Sequence, residues 1–311
     1  MKIRSLLLTA LCAVAGMMST VSASPSDVKF APSDADLIVR VDGDRILRWP
    51  VFKKLRALPK FQSFDQQAQQ ELAKYEVSLD DLLATELCVF VDVDKFDPER
   101  PAVEVIARTK KPLSAKLFAF IDAVNAQHQG KVPFTRETID GKEARVKSEP
   151  SASAALIALD DDLIQFSLNA AKPAALTRRP GTELSSIIES NSMISVAYRM
   201  DGEAAAALLK KCPPELHPFV NGLTAAAINV IDSGNSVRIK AELAYSNAES
   251  ADGVRQMLSG MLKALLSEDA QTNPELAATL KRLEISGHGR KVIVTFSCDN
   301  EQAFELLSGL F

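Results

Sequence analysis

Val237-Arg-Ile-Lys-Ala-Glu-Leu-Ala-Tyr245 places Val237, Ile239, Ala241, Leu243 and Tyr245 on one face of an extended chain and Arg238, Lys240 and Glu242 on the other. A period of two over nine residues is the mark of a half-buried antiparallel strand, one side against a core and the other toward water. The same alternation recurs in Leu37-Ile-Val-Arg-Val-Asp42, Val89-Phe-Val-Asp-Val93, Val103-Glu-Val-Ile-Ala107 and Lys291-Val-Ile-Val-Thr-Phe-Ser297. Leu113 to Ala126 and Gly253 to Leu266 instead carry apolar residues at three- and four-residue spacing, the pattern of amphipathic helices. Strands come in groups joined by hairpins, with no regular strand-helix-strand alternation. That order predicts an α+β fold, a mainly antiparallel sheet with helices packed on one face.

Two halves of the chain follow the same order. Leu37 to Gly43 and Ile194 to Gly202 each form a strand ending in Asp-Gly, followed by a helical stretch, which in the second copy is Glu203 to Lys211. Glu86 to Asp94 and Ala102 to Arg108 lead to a helix, as do Ala225 to Asp232 and Ser236 to Ser246. Leu156 to Leu168 with Ala170 to Arg178 matches Leu283 to Phe296 with Asn300 to Leu310, each a hairpin closed by a short helix. The first copy adds a helical region from Phe61 to Leu83 and a hairpin, Phe134 to Ile139 and Glu143 to Lys147, turning at Asp140-Gly141. The join falls near Arg179-Pro-Gly-Thr182 and the following Glu183 to Asn191. These observations divide the chain into a first α+β unit over 37–182 and a second over 183–311.

Upstream lies a leader. Lys2 and Arg4 precede an apolar run from Leu6 to Ala15, and Val21-Ser22-Ala23 supplies the small residues of a cleavage site. Residues 1–23 therefore read as a signal peptide and 24–36 as a flexible mature N-terminus, which predicts an exported protein, periplasmic or extracellular. A lipoprotein signal would need a small residue before Cys12, where Leu11 stands. Loss of Lys2 and Arg4 leaves 34 basic against 40 acidic residues, a net charge of −6. With no basic cluster beyond Arg108-Thr-Lys110-Lys111, a nucleic-acid partner is not expected. After cleavage no window approaches the length of a membrane span.

The opening Ala31-Pro-Ser-Asp-Ala-Asp-Leu-Ile-Val-Arg-Val-Asp42, the segment Tyr75-Glu-Val-Ser-Leu-Asp-Asp-Leu-Leu83 before a strand, and the paired layout resemble secreted bacterial proteins of unknown function built from duplicated α+β units. The resemblance implies a fold and an export route and brings no functional residues with it.

Side chains that could carry chemistry are few. His128, His217 and His288 show no helical metal-ligand spacing, and nucleophile elbows and cysteine-protease signatures are missing. In Ser286-Gly-His-Gly-Arg290 the glycines are read as the positions of a tight turn in preference to a ligand's approach to His288. Asp92-Val-Asp94-Lys-Phe-Asp97-Pro-Glu99 gathers four carboxylates, but Phe96 takes the third ligand position of a calcium loop, so a solvated turn is expected. Asp160-Asp161-Asp162 reads as a hairpin turn. The mature chain keeps Cys88, Cys212 and Cys298, with Cys212 to Cys298 the one disulfide considered and three reduced cysteines the favoured state. Trp49 stands alone, and few exposed planar rings are expected, so a sugar-binding platform has little support. Phe52, Phe61, Phe64, Phe118, Phe120 and Phe134 are read first as core and second as the lining of a cavity.

No catalytic, cofactor-binding or metal-ligating residues are assigned, and no cofactor is expected. The expectation is a non-catalytic scaffold or interaction module whose polar sheet faces meet an unknown protein or envelope partner. The first alternative is a periplasmic carrier of a lipid or other apolar small molecule, and the second a hydrolase with dispersed residues.

Overall fold

Alternating strands that present one apolar side must share it, and here they do so in one sheet. The computed structural model describes residues 25–32, 35–92, 102–127, 134–149, 152–169, 173–178, 183–200, 210, 214, 217–272 and 274–308. The strands are β1 Leu37–Asp42, β2 Glu86–Val91, β3 Val103–Arg108, β4 Thr135–Ile139, β5 Lys142–Glu149, β6 Ala152–Ala158, β7 Leu163–Leu168, β8 Ile194–Arg199, β9 Leu223–Asp232, β10 Ser236–Tyr245, β11 Leu283–Ser286 and β12 Lys291–Asp299. They form a 12-stranded antiparallel sheet in the order β11-β12-β10-β9-β8-β1-β2-β3-β7-β6-β5-β4. The fold is α+β. The sheet is continuous across the expected join, because β1 pairs with β8 from Leu37↔Tyr198 to Val41↔Ile194. Read outward from that pair, the order is β1, β2, β3, β7, β6 on one side and β8, β9, β10, β12, β11 on the other.

Helices lie mainly on one side of the sheet, the helix face. After β1 come α1 Gly43–Arg48, α2 Pro50–Arg56, α3 Pro59–Ala73 and α4 Leu79–Leu83. Their starts are legible: Asp42 caps α1 by accepting from Arg45 N at 2.9 Å, prolines open α2 and α3, and Ser78 caps α4. Then follow α5 Ser114–Gln127, α6 Glu183–Ser186, α7 His217–Val220, α8 Ala248–Thr272, α9 Pro274–Leu280 and α10 Asn300–Ser308. No helix among the described residues is long and apolar enough to cross a membrane.

Chain segments cover the opposite side, the strap face. Val28, Phe30 and Ala31 from the N-terminal segment, which includes the helical turn Pro25–Val28, join Leu184, Ile187 and Ile188 over Ile38, Cys88, Ile106, Ala155 and Ala197. Residues 25–32, expected as part of a flexible lead-in, are packed here, with Asp27 buried and paired to Arg108 at 2.8 Å. The expected helix from Ala170 to Arg178 is replaced over 173–178 by an irregular strap. Pro173 disfavours a helix through the residue before it, and Gln165 holds the strap by donating to Ala174 O at 2.8 Å and accepting from Leu176 N at 2.8 Å. The leader, and the expected helix Glu203 to Lys211 except Lys210, lie outside the described residues.

Candidate functional site

Strand register assembles on the helix face a row of side chains one residue deep and ten strands wide. On one flank, Leu156 pairs with Phe166, Phe166 with Val105 and Val105 with Val89. On the other, Val39 pairs with Val196, Val196 with Ile228, Ile228 with Ala241, Ala241 with Val294 and Val294 with Ile285. Val39 and Val89 share a face because Asp42 pairs with Glu86. Every member is apolar, yet only Val89 is buried. Ile228, on an inner strand, is 50% exposed, and Ile239 in the next row is 37% exposed.

What leaves this floor open is the placement of the helices. Toward one end of the strands, Trp49, Val51 and Leu55 pack with Ile194, Val230, Val237 and Ala303, closing the sheet beneath α2 and α10. Trp49 Nε1 donates to Asn300 Oδ1 at 3.2 Å and ties α10 to this group. Toward the other end, Ala251 and Val254 of α8 pack with Leu223, Tyr245 and Val292. Between the two groups the cover thins: Ile228 is exposed, and Val39, Val196, Ala241, Val294 and Ile285 are half-buried. Helix α8 forms one wall. Its stripe Ala251, Val254, Leu258, Met261, Leu265 follows three- and four-residue spacing and so keeps one direction along the helix. Ala251 and Val254 are buried at 1% and 3%, whereas Met261 and Leu265 are 49% and 42% exposed. The helix side that is buried at its start is therefore exposed farther along, on a helix that contacts β10, β11 and β12.

Polar networks occupy the strap face. Asn229 Oδ1 accepts from Glu189 N at 3.0 Å and from Ser195 Oγ at 2.7 Å, while its Nδ2 donates to Ile187 O at 3.1 Å. Arg40 is fully buried; its Nη1 donates to Glu189 O at 2.5 Å, its Nε has no hydrogen-bond partner, and burial lowers its pKa to about 10. Lys240 pairs with Glu242 at 2.9 Å, and Glu242 with Lys291. The broad polar face expected of the second half is accordingly covered in part, at Ser195 and Asn229, and internally ion-paired at Lys240, Glu242 and Lys291.

Residues singled out by the sequence are dispersed. His288 is exposed at the β11–β12 turn between Gly287 at φ +143° and Gly289 at φ +56°. His217 opens α7. Cys88 and Cys298 are free and buried, and burial raises both thiol pKa values. Asp160 and Asp161 are exposed in a turn, and Asp162 pairs with Arg108 at 3.1 Å. His128, Cys212 and, of the acidic loop, everything from Asp94 to Glu99 lie outside the described residues. Among the described residues no group of three or more histidine, cysteine or carboxylate side chains could hold a metal ion. The phenylalanines are scattered rather than gathered around one cavity. Phe118 packs under the Arg145 guanidinium at 4.5 Å, Phe120 stacks edge-on with Tyr75 at 4.6 Å, and Phe52 joins the Trp49 cluster.

An open groove of about 660 Å³ lies between α3 and α4, lined by Arg56, Asp65, Gln69, Ala73, Leu79 and Asp80 among others. Its groups are largely engaged with one another: Arg56 bridges Asp65 and Asp80, and Gln69 accepts from Leu79 N. The sequence did not reveal the apolar cleft. Its lining was legible as strand and helix faces, but nothing in the pattern states which face remains uncovered.

No family model and no curated protein matches the chain. Among solved structures it is similar to TP0453, a treponemal protein, in crystal form IV with a TM-score of 0.43 and 10% identity over 90% of this chain and 96% of that one. Forms I and III give a TM-score of 0.42 and 11% identity, covering 91% and 93% of this chain and 97% and 99% of theirs.

Proposed function

We propose that this chain is an exported, non-catalytic binding protein that receives the hydrocarbon part of an apolar ligand, such as a lipid acyl chain, on the uncovered floor between α8 and the α2–α10 group. The half-exposed Ile228, in the middle of an unbroken apolar row, carries this reading. An inner strand gains about 25 cal/mol for each Å² of apolar surface removed from water, so a bare aliphatic floor favours an occupant. The chemistry of that occupant follows from what the floor lacks. Its strands have their backbone groups in the ladder, and the row from Val39 to Ile285 offers no polar side chain to an extended peptide or a sugar. A hydrocarbon chain asks for none, and Met261 and Leu265 supply an adaptable wall. The leader read from residues 1–23 supports export of this carrier.

Titration with dansyl-undecanoic acid, a fluorescent acyl probe, tests it. The protein should bind the probe saturably, and Ile228→Glu should weaken binding by about tenfold or more, the equivalent of losing one aliphatic contact. Because Ile228 is half exposed, the urea midpoint of the variant should change little. Absence of saturable binding, or equal binding by a folded Ile228→Glu, would overturn the proposal.

A further inference from the structure

We infer that the C-terminal half of α8, from Met261 onward, is a lid that bends at Ser259-Gly260 and closes its apolar stripe over Ile228 and Ile239. The lid presupposes the binding cleft proposed above and adds its regulation. Three observations converge on it. First, Ile228, Ile239, Met261 and Leu265 are the exposed large hydrophobic residues among those described, and they divide into two on the floor and two on the adjoining wall. Second, the stripe is continuous with Ala251 and Val254, which already pack on the sheet, so a bend toward the sheet carries Met261 and Leu265 onto the floor without any rotation of the helix.

Third, Gly260 has no packing reason to be glycine. A Cβ there would meet nothing within 4 Å, and its backbone is not in the left-handed region. Glycine inside a helix costs about 1 kcal/mol relative to alanine, and glycine-serine pairs are where helices bend. Gly253 is equally uncrowded but lies between buried Ala251 and Val254, where the sheet fixes the helix. The anchored half is held at its start by Asn247 Oδ1, which accepts from Ser250 N at 2.8 Å, and by Arg255 Nη1, which donates to Gly287 O at 3.0 Å. Helix α9 packs against α8.

Nitroxide labels at Lys263→Cys on α8 and Arg238→Cys on β10, with Cys212→Ser to remove a competing thiol, would report the distance between lid and sheet by pulsed electron spin resonance. Both labelled positions are exposed. Dansyl-undecanoic acid should enlarge a shorter-distance population. Gly260→Ala should deplete that population and speed probe release about fivefold, the factor corresponding to the helix preference of alanine over glycine. An unchanged distance with the probe bound would overturn the lid and leave the cleft standing. Failure of the probe to bind would overturn the cleft, and the lid with it. A shorter distance that disappears on dilution with unlabelled chain would show that a second copy covers the stripe, and would likewise overturn the lid.

Discussion

Burial holds the Glu104 carboxyl above its ordinary value of 4.5, and hydrogen bonds from Ser167 Oγ at 2.5 Å and Gln165 Nε2 at 3.0 Å oppose that rise without cancelling it. The folded protein therefore holds this proton more tightly than the unfolded chain does. As pH rises through the ordinary glutamate range the unfolded state ionises first, so stability falls until the folded carboxyl has also ionised. Glu104→Gln keeps an acceptor for both donors and removes the charge. Its urea midpoint at neutral pH should exceed that of the parent, and the parent's loss of stability on rising from acid should shrink in the variant. A lower midpoint at neutral pH would show that the ionised carboxylate is stabilising. Gly43 gives a steric counterpart. A Cβ there would lie 1.8 Å from Leu83 O and 2.8 Å from Thr85 O, both backbone atoms, so Gly43→Ala must displace the chain between α4 and β2. The expected loss is about 3 kcal/mol by urea denaturation, and a loss within experimental error would refute the close approach. Arg40 marks the limit of alternation as a guide. Leu37 to Asp42 reads as apolar on one side and polar on the other, yet Ile38, Arg40 and Asp42 form the buried side. Alternation separates two faces; it does not say which one a later strap will cover.

Among the elements, the segment from α6 to Ser192 shows how such a strap is fixed. Asn229 on β9 is fully buried and engages Ile187 O, Glu189 N and Ser195 Oγ, joining the strap face to the chain that crosses it. Asn229→Ala would leave these groups short of partners inside the protein, at about 1–3 kcal/mol for each one that water cannot reach. A destabilisation of about 3 kcal/mol or more is expected by urea denaturation, with faster hydrogen exchange at Glu189 N. Stability unchanged by the substitution would exclude this latch. Most strands and helices were legible because their signals are local. The Asp140-Gly141 turn, with φ values of 51° and 78°, is the left-handed pair that a two-residue hairpin demands. The apolar period of α8 runs from Gly253 to Leu266, while the helix extends from Ala248 to Thr272, since its polar ends carry little of that period. The strap at 173–178 departs from the expected helix because its conformation is set by hydrogen bonds to Gln165 and Asp140, outside the segment itself. The cleft escaped for a related reason. Ile239 belongs to the apolar side of the strand from Val237 to Tyr245, and its exposure depends on where α2, α8 and α10 come to rest.

For the whole molecule, the decisive fact is that the two sides of the sheet do not own separate cores. One cluster contains Ile38, Cys88 and Ala155 from before residue 183 together with Ala197, Ala225 and Ala244 from after it. A second joins Trp49, Val51 and Leu55 to Met193, Val230, Cys298 and Ala303. Opening the β1–β8 seam would expose apolar surface on both sides and break a ladder of five residue pairs. Neither side can release the other without losing part of its own interior, so unfolding should be cooperative across the seam. Trp49 is the lone tryptophan and sits where the two sides meet. Its fluorescence should therefore change with the same urea midpoint and slope as far-UV circular dichroism, which averages over all the strands and helices. A tryptophan transition clearly separated from the dichroism transition would mean that the two sides unfold independently, and the shared clusters would then be too weak to couple them.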